Sequence, residues 1–106
     1  MVQEFIYVVR PARAEMLSEG PTEIEQEIIS QHFQYLERLV QEGRVLVVGR
    51  TLMRDEGTFG LAIFRADDLA SAVALAEADP AVLHGVMRVE VYPFRVALLS
   101  TTWSTS

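Results

Sequence analysis

The sequence predicts an α+β domain of ferredoxin-like build. Its element order is β-α-β-β-α-β, giving a four-stranded antiparallel sheet in order 4-1-3-2 with two helices on one face. Three observations carry that expectation. A strand–helix–strand pattern occurs twice, joined by a turn at Asp55-Glu56-Gly57. Residues 22–43 show helical periodicity between a capping signal and a glycine stop. The strand candidates are short β-branched and aromatic runs rather than long helical ones.

The elements follow in order. Residues 4–9, EFIYVV, read as the first strand, ended by Arg10-Pro11. Residues 11–21 carry Gly20-Pro21 and read as a connection with room for a short helical turn. Thr22 and Glu25 have the T-x-x-E spacing of a capping box, which satisfies free amide donors at a helix start. The helix then runs to about Glu42 and stops at Gly43. Residues 44–52 form the second strand and 58–65 the third. Asp67 or Asp68 caps a second, alanine-rich helix that reaches about Ala78. Asp79-Pro80 interrupts it, because a residue before proline is pushed out of the helical region. Pro80 can open one more turn, to Leu83, that ends at Gly85. Residues 86–96 form the fourth strand. One domain covers residues 1–97, and residues 98–106 form a C-terminal tail.

An antiparallel sheet with one wet face alternates apolar and polar residues. These strands do not: Phe5, Tyr7 and Val9 alternate with Ile6 and Val8, and Leu61 and Ile63 with Ala62 and Phe64. The face away from the helices therefore also needs a cover, and a homodimer packed sheet to sheet supplies one.

Composition narrows the function. Half of the 106 residues are hydrophobic, which excludes a disordered segment. There is no cysteine, so disulfides, zinc-thiolate sites, iron–sulfur clusters and cysteine nucleophiles are excluded. Net charge is −6 and all nine cations are arginine, a poor balance for binding nucleic acid or an anionic membrane. No apolar run is long enough to cross a bilayer. The expectation is a cytoplasmic protein with neither a nucleic-acid nor a membrane partner. His32 and His84 have no metal-ligand spacing, and no glycine-rich phosphate loop is present, so neither metal nor cofactor is expected.

One residue stands out on the long helix. At 100° per residue, Ile24, Ile28, Ile29, Phe33, Tyr35, Leu36, Leu39 and Val40 fill an arc of roughly 180°. His32 falls near its middle. Such a histidine is either a core residue bonded to a backbone carbonyl or the working part of a site.

Three stretches resemble the YciI-like (YCII-related) family of the dimeric α/β-barrel superfamily. They are His32-Phe33-Gln34-Tyr35-Leu36 with Gly43 and the strand VLVVG; Gly60-Leu61-Ala62-Ile63-Phe64; and Asp79-Pro80-Ala81-Val82 with Gly85-Val86 and Glu90-Val91-Tyr92-Pro93-Phe94. The likeness spans residues 3 to about 97. It implies a ferredoxin-like fold paired into a barrel, and a cleft holding His32 and Asp79. Some relatives are dehydrochlorinases of hydroxylated aromatic compounds, and muconolactone isomerases share the fold. The first connection, residues 11–21, is longer than the family's and can reshape a pocket mouth.

The strand order places Asp79, Arg10 and Arg50 near one rim, with His32 about 15 Å along its helix from Thr22. In a His32–Asp79 dyad the aspartate orients the ring and the imidazole transfers the proton. Asp79 is equally well suited to capping the turn that follows it. Arg10 and Arg50 are candidate anchors for an acidic substrate, or solvated rim arginines. Tyr7 and Tyr35 are candidates for an aromatic pocket wall, or ordinary core. The leading reading is a cofactor-free enzyme performing isomerisation, elimination or dehydrochlorination on a small organic acid, aromatic ones included. The alternatives are a non-catalytic small-ligand or regulatory module and a structural dimerisation domain.

Overall fold

The computed structural model describes residues 2–104, so Met1 of the expected domain and the last two residues of the expected tail lie outside it. The elements are β1 (Gln3–Pro11), α1 (Glu15–Ser18), α2 (Glu23–Gln41), β2 (Val45–Arg50), β3 (Gly60–Ala66), α3 (Leu69–Glu77), α4 (Pro80–Leu83) and β4 (Met87–Phe94). The sheet order is β2-β3-β1-β4 with every neighbouring pair antiparallel, which is the expected 4-1-3-2 arrangement. The expected strands differ mainly at their ends. β1 continues through Pro11, because Arg10 and Pro11 still pair with Arg88 and Met87. β2 stops at Arg50, two residues early, and the Thr51 hydroxyl accepts from the Phe59 amide where a ladder bond would have been.

Side-chain alternation divides the sheet into two faces. Phe5, Tyr7 and Val9 on β1, Ala62 and Phe64 on β3, and Val45 on β2 are buried against Leu36 and Leu39 of α2 and Leu75 and Ala76 of α3. A register shift between Val45 and Val47 turns both Val45 and Val48 toward this face. Ala72 and Ala76 have no side chain beyond Cβ, which allows α3 to sit close to the strands; both are fully buried. Phe5 and Tyr7 pack on Phe64 with ring centroids 6.0 and 5.6 Å apart. On the other face Val47, Tyr92 and Phe94 are exposed, and Ile6, Val8, Leu61 and Ile63 are half-buried.

Both ends of α2 are set by local chemistry. The capping box is complete: the Glu25 amide donates to Thr22 Oγ1 at 3.1 Å and the Thr22 amide donates to Glu25 Oε1 at 2.8 Å. Gly43 has φ 76°, which a glycine adopts without a Cβ clash.

The wide apolar arc expected on α2 is corrected. Its buried residues are His32, Leu36 and Leu39, whereas Ile24, Phe33 and Val40 are exposed. A wheel gives direction, not the presence of a partner. Phe33 borders an open cleft, Val40 borders a hollow at the other end of the strands, where β2 begins and β3 ends, and Ile24 lies in the first turn facing solvent. Residues 95–104 have no regular structure, and Leu98, Leu99 and Trp103 are exposed.

Candidate active site

Asp79 is the centre of the site. The chain leaves α3 at Ala78, and Pro80, with its φ preset by the ring, opens α4. Asp79 is thereby the N-cap of α4, and its Oδ1 accepts from the Ala81 amide at 2.9 Å. The residue is fully buried. A buried carboxylate needs donors, and two more side chains supply them. His32 Nδ1 lies 2.8 Å from Oδ1 and 2.6 Å from Oδ2. The Tyr7 hydroxyl donates to Oδ2 at 2.9 Å. β1, α2 and α4 thus each bring one donor to a single carboxylate.

The arrangement fixes which way the imidazole is used. Ala81 and Tyr7 both donate to Asp79, which acts as an acceptor, so Nδ1 carries a proton toward it. Nε2, across the ring, meets no hydrogen-bonding group among the described residues. His32 borders the cleft while Asp79 lies behind it, so Nε2 is the end turned to the cleft. The Phe33 ring stands edge-on to the imidazole at 5.3 Å. A neutral His32 therefore offers a lone pair to whatever occupies the cleft, and Asp79 is placed to stabilise the imidazolium formed by taking a proton.

The cleft has a volume of about 950 Å³ and opens at the rim where β1 and β2 end and α2 begins. Tyr7, Val9 and Ala62 line its sheet side. Phe33 and Leu36 line the helix side, Met16 and Leu17 of the first connection one lip, and Met53 and Arg54 of the β2–β3 hairpin the other. The walls mix apolar side chains with the polar groups of His32, Arg50, Arg54, Glu19 and Thr58, a combination that can orient a small molecule.

The sequence-predicted residues separate on this map. His32 and Asp79 are in contact, and His32, Tyr7, Arg10 and Arg50 border the cleft. Arg10 is committed elsewhere. Its guanidinium bonds Glu90 Oε1 at 2.7 Å and lies 5.6 Å from the centre of the Phe59 ring. Arg50 is exposed and has no carboxylate partner among the described residues. Tyr35, expected with Tyr7 as a pocket wall, takes no part in the lining; its hydroxyl donates to the Leu75 carbonyl at 2.7 Å. His84 is the exposed C-cap of α4.

Sequence reasoning missed the bond from Tyr7 to Asp79. The signal for it was a tyrosine within an apolar strand, since a buried phenol needs a partner for its hydroxyl. It also missed Phe33, Met53 and Arg54, because helix periodicity and loop composition do not show which residues will face a cleft. Burial, reinforced by the Asp79 charge, pushes the Tyr7 phenol far above its ordinary range, so it acts as a neutral donor. Tyr35 is raised for the same two reasons, burial first.

The fold and this geometry define a class: a ferredoxin-like α+β domain with a buried acid–histidine pair at the edge of an open cleft. The YCII-related domain matches residues 5–95, and the chain belongs to that family. Among solved structures it is similar to 5-chloro-2-hydroxyhydroquinone dehydrochlorinase (TftG) from Burkholderia phenoliruptrix AC1100, in complex with 2,5-dihydroxybenzoquinone. That likeness has a TM-score of 0.61 and 20% identity, over 86% of this chain and 93% of the other. It is also similar to the uncharacterized protein TM1266 from Thermotoga maritima, with a TM-score of 0.56 and 14% identity, over 90% and 100% of the two chains. At these identities the likeness shows the fold alone. No curated protein sequence matches the chain.

Proposed function

We propose that the chain is a small enzyme that moves protons on an organic acid bound in the cleft, with His32 as general base and then acid and Asp79 as its orienting partner. The observation that supports this reading is the orientation of His32: Nδ1 is held by a fully buried carboxylate, and Nε2 is left to a solvent-open cleft. A core histidine bonded to a backbone carbonyl would give neither. Nε2 takes a proton from a C–H or O–H of the ligand, and Asp79 stabilises the imidazolium. In an isomerisation the proton returns to another atom of the same ligand. In a dehydrochlorination the released electron pair forms the new π bond, chloride leaves with the C–Cl electrons, and the proton remains on Nε2 until solvent removes it. Arg50 anchors a carboxylate or phenolate, and the apolar lips suit a ring. The reaction needs no cofactor or metal.

A second copy of the chain fits the outer face of the sheet, where Ile6, Val8, Leu61, Ile63, Val47 and Tyr92 form an apolar surface across all four strands. We read the protein as a homodimer through that face, working in the cytoplasm with small molecules rather than nucleic acid. No described helix is long and apolar enough to cross a membrane.

The quinone bound by the similar dehydrochlorinase supplies the first experiment. Binding of 2,5-dihydroxybenzoquinone is read by thermal shift, since a ligand at a hundred times its dissociation constant adds about 2.7 kcal/mol of stability. Chloride release is then measured from chlorinated hydroxyquinols. Turnover abolished by His32→Ala in a folded protein supports the enzyme; ligand-induced stabilisation without turnover of any compound in the panel favours the binding module. The specific observation behind that second reading is that His32 is the one cleft-lining side chain, among those described, that ordinarily titrates near neutral pH.

A further inference from the structure

We propose that Tyr7 is a positioning residue of the His32–Asp79 pair, sharing Asp79 Oδ2 with the imidazole and so limiting how strongly the carboxylate holds the proton on His32. The inference deepens the reading of the site as a proton-transfer centre, and it rests on that reading for its consequence on activity.

The geometry carries it. Oδ2 has two donors, Tyr7 at 2.9 Å and His32 Nδ1 at 2.6 Å. Oδ1 has two as well, the Ala81 amide at 2.9 Å and Nδ1 at 2.8 Å. The imidazole is therefore placed across both oxygens, and each oxygen is also bound by a second group. The amide belongs to the backbone of α4 and cannot be tuned by a side chain. The phenol can. It stands on β1, facing the helices, with its ring edge-on to Phe64 at 74°. Both Tyr7 and Asp79 are buried, so losing the bond leaves the carboxylate one donor short. A donor on a carboxylate lowers its remaining basicity, and less negative charge is then available to the imidazolium. Because the phenol stays neutral, its part is to donate rather than to act as a base.

A structural role makes a different prediction. If Tyr7 only fills the core, removing its hydroxyl costs stability and leaves the proton affinity of His32 unchanged. The charged groups bordering the cleft are Arg10 of β1, Glu19 of the first connection, Arg50 of β2 and Arg54 of the hairpin. Tyr35 of α2, its hydroxyl held by the Leu75 carbonyl, is within the electrostatic reach of Asp79 and of Arg38 and Arg44. All are kept in the test, so a difference between variants reports the phenol.

The test is the titration of His32 by NMR of imidazole-labelled protein, which needs no substrate. Exposed His84 is the second histidine of the chain and serves as the internal control. In Tyr7→Phe the His32 midpoint rises by roughly half a unit or more relative to wild type, while His84 does not move. Site-specific 3-fluorotyrosine at position 7 strengthens the donor at nearly constant volume and moves the midpoint the other way, so the proposal stays testable if Tyr7→Phe folds poorly. Where a substrate is in hand, the acid limb of the kcat/KM profile shifts with the midpoint. An unchanged His32 midpoint in both proteins overturns the proposal. A shifted midpoint in a protein that turns over nothing leaves Tyr7 in this role and removes the enzyme reading instead.

Discussion

His32 and Asp79 stand 47 residues apart in the chain, and their side chains meet at 2.6 Å in the interior. The contact joins the middle of α2 to the junction of α3 and α4. Its consequence is directional: one nitrogen is tied to the core, and the other is presented to the cleft.

Asp79→Asn separates orientation from occupancy. Nδ1 lies within 2.8 Å of both oxygen positions, so one of them becomes an amide nitrogen that donates toward it, while Tyr7 or Ala81 competes for the remaining carbonyl. The imidazole proton is driven to Nε2, the end that has to accept. We expect a folded protein with the opposite tautomer by ¹⁵N NMR, and a loss of turnover of about a thousand-fold or more. Asp79→Ala removes the cap of α4 and leaves the buried Tyr7 hydroxyl without an acceptor, so it destabilises by about 3 kcal/mol in urea unfolding. Retention of the Nδ1–H tautomer in Asp79→Asn removes the orienting role.

Arg50 and Arg10 were equivalent in the sequence and are not in the structure. Arg10 is tied to Glu90, whereas Arg50 borders the cleft with no carboxylate partner among the described residues. Arg50→Gln therefore weakens an anionic ligand roughly ten-fold while kcat changes little, because a uniform binding contact is lost. Arg10→Gln changes affinity by less than about two-fold, as expected for a charge already paired. Equal effects of the two substitutions, measured by titration calorimetry, contradict this assignment.

Glu25 gives the pH dependence of stability a specific source. Its Oε1 accepts from Arg13 and from the Thr22 amide, both at 2.8 Å, and its Oε2 accepts from Arg13 Nε at 3.0 Å. The Arg13 hydrogen bond first, and the Thr22 amide second, hold its carboxyl down from 4.5 to about 2. A carboxyl with a depressed folded-state pKa stabilises above its unfolded value and loses that contribution as pH falls through the folded one. The contribution is therefore full above about 4.5 and gone near 2. Glu25→Gln keeps an acceptor for the capping box but not the charge. The urea midpoints of wild type and variant should differ at pH 6 and converge as pH falls toward 2. A gap that is independent of pH excludes Glu25 as the source.

What could be read in the sequence was what local chemistry specifies. The Thr22–Glu25 box, the stops at Gly43 and Gly85 with φ 76° and 73°, and the Asp79-Pro80 break each act within a few residues, and each lies where expected. On β1 the period of two separates Phe5, Tyr7 and Val9 from Ile6 and Val8, but both sets are apolar, so only the fold shows that the first set faces the helices. Phe33 and Val40 misled because a periodic apolar residue can border a cleft or a hollow as readily as a packed core. Tyr7 was readable as sharing a face with Phe5 and Val9, but its bond to Asp79 depends on the register of β1 against β3 and β4 and on where α3 ends. No local rule carries that information. The first connection is a further case: it reads as a loop with room for a helical turn that can reshape a pocket mouth, and the fold adds which residues stand there, Met16 and Leu17.

The outer face of the sheet leads to the last prediction. Ile63 pairs with Ile6 on one side and Val47 on the other, and Ile6 pairs with Tyr92, so one row of apolar side chains crosses all four strands. A face of this kind exposed on a monomer favours association, since buried apolar area contributes about 25 cal/mol per Å². In a two-fold pairing the same face of both copies meets, so one substitution acts twice. Ile63→Glu puts a carboxylate at the centre of that row, where its desolvation has no partner to offset it. Light scattering at micromolar concentration should give a dimer for wild type and a monomer for Ile63→Glu, with the circular dichroism of the fold retained. Because Ile63 points away from Tyr7, His32 and Asp79, the His32 titration should stay near the wild-type midpoint in the monomer. A wild-type monomer under these conditions removes the sheet-to-sheet homodimer and leaves the apolar row to a different partner.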